Sequence, residues 1–400
     1  MSLLANRLAL IHPSPTLAMM TKAAELKAKG IDVISLSAGE PDFDTPTTIQ
    51  NAAIDAMHKG MTKYTPVDGI LALKKAIQNK FKKDNHISFE LNEIMASTGG
   101  KQVIFNALMA SINPGDEVII PAPYWVSYPD IVNLFGGIPK FIPCLEKNNF
   151  KMTPEQLEST ITKNTKWLIL NSPSNPTGEV YTREELEALG AVLKKHPHVY
   201  IMCDDIYEYL VYDGVPFYTL LTICPELKNQ VLIVNGVSKA YSMTGWRLGY
   251  GAGPQALIKA MVMLQSQSTS NPSSITQAAA VEAISGPQDF LEEWRTSFVK
   301  RRDLVWFAIN NIPGLSCRKP NGAFYLYINC EKLIGKTTPK GNVLTTDNQL
   351  ITYLLEEGNV ALVSGDAFGL SPYFRISYAT SESVLEEACR RIKKAVEDLH

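Results

Sequence analysis

The chain has 400 residues, of which 45% are hydrophobic and 20% charged, so it can bury a sizeable core and has room for two domains. Its formal net charge of -2 excludes a general electrostatic attraction to nucleic acid or to anionic membranes. No apolar run approaches the roughly 18 residues of a membrane-spanning helix, and no cleavage pattern follows the N-terminus, so we expect a cytoplasmic protein.

Four short apolar runs alternate with helical patterns in the middle of the chain. Runs of this kind are typical of parallel strands that are buried on both faces. Capping-box patterns begin two helices, one at Thr153 with Gln156 and one at Thr182 with Glu185. The resulting β-α-β order predicts an α/β fold with a mostly parallel sheet covered by helices. The predicted strands are residues 116–121, 166–170, 199–203 and 231–236.

The last residues of the chain, Val384 to Leu399, carry apolar side chains at helical spacing. This pattern predicts an amphipathic closing helix that packs on a second, smaller unit. The six cysteines are scattered and do not cluster with the six histidines, so we expect reduced, packed thiols and no metal site.

Polar residues follow three of the predicted strands. Asn171 and Asn175 come after the second run, Asp204 directly after the third, and Lys239 just beyond the fourth. In sheets of this type, ligands bind beyond the carboxyl ends of the strands. A turn, a helix cap and a solvated lysine remain the alternatives for each residue taken singly. Together the residues mark a candidate site.

Six motifs along the chain resemble, in the same order, those of the class I pyridoxal-phosphate-dependent aminotransferases. The likeness covers essentially the whole chain and is greatest to the bacterial aspartate aminotransferases, some of which also act on prephenate. The motifs are ISLSAGEPDFDTP (34–46), STGGKQ (97–102), NSPSNPTG (171–178), DDIYEYLVYDG (204–214), GVSKAYSMTGWRLG (236–249) and FRISYA (374–379).

The resemblance implies a fold-type I pyridoxal-phosphate-dependent transferase. We therefore predict a large domain over residues 46–288, which contains the sheet and binds the cofactor. A smaller α+β domain is expected to form from both chain ends, residues 1–45 and 289–400.

The resemblance also implies the catalytic residues. Lys239 forms the Schiff base with pyridoxal 5'-phosphate and later carries the proton that moves between the substrate and the cofactor. Asp204 pairs with the ring nitrogen, because a carboxylate there stabilises the protonated ring that withdraws electrons. Tyr207 and Asn175 donate hydrogen bonds to the 3'-oxygen of the cofactor and tune the pKa of the imine.

The cofactor phosphate needs several donors. Gly99, Gly100 and Lys101 lie at a turn between a predicted strand and a helix, where backbone N–H groups can meet an anion. A helix-capping turn without a ligand is the alternative. By resemblance, Ser238 and Arg247 complete the phosphate site.

Two aromatic residues are assigned by the same resemblance. Trp125 is expected to stack on the cofactor ring, with a core aromatic residue as the alternative. Tyr64 is expected to reach the cofactor phosphate of a neighbouring subunit, which implies a homodimer with shared active sites. A tyrosine buried within its own subunit is the alternative.

Substrate recognition is assigned mainly to Arg375, whose guanidinium matches a carboxylate. Gly39 lets the N-terminal segment approach the substrate, and Trp125 and Asn175 also border it. Lys101 is the candidate second cation for the distal carboxylate of an acidic amino acid, and serines of the partner's 265–271 segment are expected to assist.

We therefore expect an enzyme that moves the amino group of aspartate, or of another acidic amino acid, to 2-oxoglutarate by a ping-pong mechanism. Its partners would be small amino and keto acids, with no role for nucleic acid or membrane. Glutamate, prephenate or aromatic aminotransfer in the same family and a lyase reaction on the same cofactor are the alternatives. We do not expect a DNA-binding regulator of this fold, because the motifs begin near Ile34 and the residues before them are not strongly basic.

The chain departs from the family pattern in three places. Gly236 stands where a phosphate-binding serine is usual, which removes one candidate donor. Ser364 stands where proline is common, which we expect to loosen the turn before Arg375. His12 stands where members that act on prephenate often carry lysine, which argues against that substrate.

Overall fold

The structure is a computed structural model that describes residues 3–400. The strands in this range are β1 (Ile34–Ser35), β2 (Ile94–Ser97), β3 (Glu117–Ala122), β4 (Ile138–Pro143), β5 (Thr165–Asn171), β6 (Tyr200–Asp204), β7 (Val231–Gly236), β8 (Gly249–Ala252), β9 (Ser316–Cys317), β10 (Tyr325–Asn329), β11 (Val360–Ala361), β12 (Val363–Ser364) and β13 (Tyr373–Ser377).

The helices connect and cover these strands. They are α1 (Pro15–Ala28), α2 (Thr47–His58), α3 (Leu71–Asp84), α4 (Gly100–Ser111), α5 (Ser127–Leu134), α6 (Pro154–Thr160), α7 (Arg183–Leu193), α8 (Leu220–Ile223), α9 (Gln255–Ser266), α10 (Ser274–Ser285), α11 (Phe290–Asn310), α12 (Asp347–Glu356) and α13 (Glu382–Glu397). None of the helices described within residues 3–400 is long and apolar enough to cross a membrane.

A seven-stranded sheet forms the centre of the molecule, in the order β2-β8-β7-β6-β5-β3-β4. The neighbouring pairs from β7 to β4 are parallel, and β8 is antiparallel to both of its neighbours. The predicted α/β architecture with a mostly parallel sheet is therefore confirmed.

Alternate residues of the central strands enter two different cores, one on each face of the sheet. Leu168 and Leu170 of β5 pack in one cluster, and Trp167 and Ile169 pack in the other. The continuous apolar runs in the sequence arise from this double burial.

The two predicted capping boxes are present. Thr153 begins α6 and Thr182 begins α7, and in both cases the N-cap side chain and the side chain three residues later exchange hydrogen bonds with the backbone.

A second, four-stranded antiparallel sheet has the order β12-β13-β10-β9. Helix α13 packs against α11 and buries the apolar residues predicted for the closing helix. This sheet with its helices forms the smaller α+β unit. The chain ends also meet, because β1 pairs with β11 in parallel and Ile34 lies opposite Val360. The domain boundaries at residues 46 and 288 stay a prediction.

Candidate active site

The ends of three adjacent strands, β5, β6 and β7, form the floor of the candidate site. Asn171 and Asp204 are the last residues of β5 and β6 and lie directly opposite each other, and Asn171 donates a side-chain hydrogen bond to the Asp204 carbonyl at 2.8 Å. Lys239 follows the end of β7. A cavity of about 290 Å³ opens above these strand ends.

Lys239 points into this cavity, and its Nζ donates a hydrogen bond to the Gly39 carbonyl at 2.5 Å. Burial lowers the pKa of Lys239 to about 8, because an ammonium loses its hydration there; nearby Arg375 and Arg247 act in the same direction, while Glu40 and Asp204 oppose it. About a tenth of this amine is therefore neutral and nucleophilic at pH 7, far more than for an ordinary lysine.

Asp204 is buried on the floor of the cavity and accepts a hydrogen bond from the Tyr128 hydroxyl at 2.6 Å. Burial raises the pKa of this carboxyl, although Tyr128, the Ile206 N–H and Lys239 counteract the rise. A cation placed against Asp204 would hold the carboxylate in its charged form.

The turn between β2 and α4 forms a cradle for an anion. Gly99 is the N-cap of α4 with φ of 87°, a conformation that favours glycine. A side chain there would overlap the guanidinium of Arg247, which lies across the turn. Arg247 itself has φ of 55°, an uncommon conformation for arginine, and its guanidinium lies against Gly99 at the start of the helix, where backbone N–H groups favour an anion.

Arg375 lies on β13, lines the same cavity and is 2% exposed. It donates to the Asn175 side-chain oxygen at 2.7 Å and to the Ser37 carbonyl at 2.6 Å. Its buried Nε has no hydrogen-bond partner among residues 3–400. A buried cation with an unsatisfied donor is suited to a carboxylate ligand.

Lys101 and Trp125 form the remaining wall. The Lys101 Nζ lies 4.8 Å from the centre of the Trp125 ring. Burial and then the positive charge of Arg247 lower the pKa of Lys101. The cavity lining therefore includes the cationic side chains of both Lys101 and Arg375.

The structure brings together nearly all of the predicted site residues. The predicted residues that line the cavity are Gly39, Gly100, Lys101, Trp125, Asn175, Asp204, Tyr207, Ser238, Lys239, Arg247 and Arg375. Gly99 lies beneath Arg247 rather than on the lining. Tyr64 lies apart and is 91% exposed, so the alternative of a tyrosine buried within its own subunit is wrong.

These residues fit the cofactor that the resemblance implies. The Gly99 turn with Arg247 suits the phosphate, Asp204 suits a protonated ring nitrogen, and Lys239 supplies a deprotonable amine. The chain thus offers each group that pyridoxal phosphate needs at a separate point of one cavity.

Two tyrosines of the site were not found from the sequence. Tyr128 holds Asp204 and packs edge-to-face with Trp125 at 5.3 Å between ring centres. Its position three residues after Trp125, close to the start of α5, was the available signal. Tyr325 lines the cavity and its hydroxyl lies 2.8 Å from that of Tyr207. No local pattern distinguishes it from any other tyrosine on a buried strand.

The three departures from the family pattern have structural settings. Gly236 has no space for a serine, because a Cβ would meet the Leu248 carbonyl oxygen at 2.9 Å. Ser364 donates a hydrogen bond to the Asn348 side chain at 2.6 Å. This bond holds the backbone at a position where a proline would restrict it through its ring. His12 contacts Asp130 through its backbone N–H at 3.4 Å, and its side chain is 82% exposed.

A buried polar network lies behind the site. Glu208, which follows Tyr207, forms an ion pair with Lys80 and accepts hydrogen bonds from Asn85 at 3.2 Å and Asn235 at 2.8 Å. Asn235 is part of β7, so this network joins the turn after β6 to the strand that leads to Lys239. Residues 3–400 contain no group of three or more His, Cys, Asp or Glu arranged to hold a metal ion.

Comparison with known proteins gives matches over nearly the whole chain. The profile of the family "Aminotransferase class I and II" matches residues 31–392. The aspartate/prephenate aminotransferase of Cereibacter sphaeroides is 56% identical over 393 residues, which cover 98% of each chain.

Two solved structures are also similar to the chain. The crystal structure of the aspartate aminotransferase from Rhizobium meliloti is 54% identical, covers 100% of both chains and gives a TM-score of 0.98. The aspartate aminotransferase from Thermus thermophilus with maleate is 39% identical, covers 99% of this chain and 100% of its own, and gives a TM-score of 0.92.

Proposed function

Because the chain belongs to the class I and II aminotransferases, we propose that it moves the amino group of aspartate to 2-oxoglutarate with pyridoxal phosphate as its cofactor. Members of the family depend on this cofactor, and so does this enzyme. The relatives named for aspartate or for aspartate and prephenate support the choice of donor. We expect a ping-pong reaction in which donor and acceptor use the same site in turn.

The observation that carries the proposal is the pair of cations in one cavity, Lys101 and Arg375. Every amino acid has an α-carboxylate, for which Arg375 with its unpartnered Nε is the suited ligand. Only an acidic amino acid has a second carboxylate. Lys101, beside Trp125, is the group in a position to bind it.

We assign the cofactor contacts to the residues that border the same cavity. The phosphate is held by the turn at Gly99, Gly100 and Lys101 together with Ser238 and Arg247. Trp125 would stack on the ring and Asp204 would pair with its nitrogen, and the bound ring would withdraw electrons from the carbon that carries the amino group.

The protein residues then bind, orient and move a proton. Lys239 would hold the cofactor through its side-chain amine and, as a neutral amine, would take the proton from the substrate carbon. Asp204 would stabilise the positive charge on the ring nitrogen of the cofactor, and Tyr207 and Asn175 would orient its 3'-oxygen. The low pKa of Lys239 suits this base role near neutral pH.

The homodimer is part of this proposal. The exposed position of Tyr64 leaves its side chain available to a partner subunit, in agreement with the role that the family resemblance implies. The expected cytoplasmic location stays a prediction.

A panel of amino donors with 2-oxoglutarate as the acceptor tests the proposed function. Aspartate should give the highest kcat/KM, with glutamate formed in an amount equal to the aspartate consumed. Alanine and tyrosine serve as matched donors that lack the distal carboxylate. Equal or higher kcat/KM for these uncharged donors would contradict the assignment. Prephenate in place of 2-oxoglutarate tests the alternative that His12 argues against.

A further inference from the structure

Tyr325 lies where three parts of the proposed active site meet. Its hydroxyl is 2.8 Å from that of Tyr207, and the guanidinium carbon of Arg375 is 4.5 Å from its ring centre. A Cβ on Gly39 would overlap its hydroxyl, so the segment that accepts the Lys239 hydrogen bond is packed on the same phenol. Tyr325 is completely buried on β10, next to the strand that carries Arg375.

The number of hydrogens decides the direction of the Tyr207–Tyr325 hydrogen bond. A phenol has one O–H to donate and can also accept. If Tyr207 gives its hydrogen to the 3'-oxygen of the cofactor, as proposed above, it can only accept from Tyr325. Tyr325 then donates to Tyr207, and this makes the Tyr207 hydroxyl a stronger donor towards the cofactor.

We propose that Tyr325 is a positioning residue that makes the hydrogen bond from Tyr207 to the cofactor depend on whether Arg375 holds a substrate carboxylate. The proposal rests on the proposed function. The Arg375 cation, close to the ring, draws electrons from the phenol and strengthens it as a donor. A carboxylate on Arg375 offsets that charge and weakens the Tyr325–Tyr207–cofactor chain.

The groups that face Tyr325 are few. Its phenol interacts with the Arg375 cation and with the hydroxyls of Tyr207 and Tyr378, and burial raises the pKa of that phenol above its ordinary value. Lys239 contacts the same group of residues, because its Nζ donates a hydrogen bond to the carbonyl of Gly39, which packs on the Tyr325 hydroxyl. Tyr325 therefore stays protonated and acts as a donor and not as an acid.

The test follows the absorption spectrum of the cofactor-loaded enzyme as a function of pH, with and without a dicarboxylate that cannot react, such as maleate or succinate. In the unaltered enzyme, the pH midpoint of the spectral change should rise when the dicarboxylate is added. In Tyr325→Phe, the midpoint without ligand should already be higher, and its rise with ligand should be smaller by about 0.4 to 1 pH unit, the size expected of one hydrogen bond.

Tyr327→Phe is the matched control. Tyr327 lies on the same strand, is buried, and donates to the Leu370 carbonyl at 2.6 Å, outside the cavity. Its removal should leave both midpoints unchanged. Equal shifts in the two variants, or a ligand response in Tyr325→Phe equal to that of the unaltered enzyme, would overturn the proposal.

A second measurement uses enzyme without cofactor. Tyr325→Phe keeps the ring beside Arg375, so the Kd for the dicarboxylate should change less than twofold. If Tyr325→Phe does not fold, Tyr207→Phe removes the other hydroxyl of the same hydrogen-bond pair. This variant should also show a smaller rise of the pH midpoint when the dicarboxylate is added, and an undiminished rise would overturn the proposal. If the spectrum of the unaltered enzyme does not change when aspartate is added, the proposed function itself is contradicted. This outcome is distinct from a failure of the Tyr325 proposal.

Discussion

The Nζ of Lys239 donates a hydrogen bond to the carbonyl oxygen of Gly39 at 2.5 Å. This contact joins the loop beyond β7 to the segment that follows β1. The same segment provides the Ser37 carbonyl that holds Arg375. The proposed reactive amine and the proposed carboxylate ligand are therefore positioned by neighbouring carbonyls of one short stretch of chain.

The pKa of Lys239 predicts how the enzyme without cofactor captures pyridoxal phosphate. Only the neutral amine reacts with the aldehyde, so the capture rate should rise with pH through a midpoint near 8, well below the ordinary lysine value of about 10.4. Stopped-flow absorbance over a pH series measures the rate. Lys239→Ala is the control and should capture no cofactor covalently. A midpoint near that of a free lysine would contradict the burial argument.

Lys101→Ser should reduce kcat/KM for aspartate by roughly ten- to a hundredfold, because a charged hydrogen bond contributes about 1.5 to 3 kcal/mol. Alanine, which has no distal carboxylate, should be affected far less. Steady-state kinetics with both donors gives the comparison. An equal loss for both donors would make Lys101 a cofactor residue and remove the main support for acidic substrates.

Hybrid dimers test the position of Tyr64. In a hybrid of one Lys239→Ala chain and one Tyr64→Ala chain, each site takes Lys239 from one chain and, if Tyr64 acts across the interface, Tyr64 from the other. One of the two sites then has both residues intact, and the other lacks both. Differently tagged chains allow the hybrid to be purified. Its activity should be about half that of the unaltered dimer per mole, whereas the Lys239→Ala homodimer is inactive and the Tyr64→Ala homodimer is weakened. A hybrid no more active than the mean of its two parents would contradict the shared site.

The buried ion pair behind the site predicts a stability effect. Lys80→Met leaves the Glu208 carboxylate buried without its cation, which should lower the free energy of unfolding by about 3 to 5 kcal/mol. Chemical denaturation measures this change. Lys195→Met, which removes an exposed partner of Glu158, is the matched control and should change stability by less than about 1 kcal/mol. A loss below about 1 kcal/mol in Lys80→Met, as expected for the control, would contradict a structural role of the buried ion pair.

Short local patterns predicted the sheet and the residues at its strand ends, whereas most of the other site residues were predicted from the resemblance of six motifs to the family. Runs such as 166–170 are apolar throughout since each face of β5 is buried, and Asp204 and Lys239 lie next to strand ends. The Gly99 turn could be predicted because a glycine pair between a predicted strand and a helix indicates a turn with a conformation that favours glycine, and Gly99 has φ of 87°.

Tyr128 and Tyr325 could not be assigned in this way. Their roles come from contacts across 76 and 118 positions of the chain, with Asp204 and Tyr207 respectively. For Tyr128 the nearby Trp125 was the available signal, whereas nothing in the residues next to Tyr325 indicates its contact. Likewise, the sequence alone could not decide between a buried and an interface position for Tyr64, since exposure depends on the packing of the whole subunit.

A single turnover with aspartate in the absence of any acceptor tests the central claim most directly. If the enzyme transfers amino groups through a cofactor on Lys239, each loaded site should release one oxaloacetate, retain the nitrogen on the cofactor, and lose the absorption of the Lys239-linked form. Addition of 2-oxoglutarate should then restore that absorption and release one glutamate per site. Release of ammonia or carbon dioxide, or continued turnover of aspartate without an acceptor, would contradict the account.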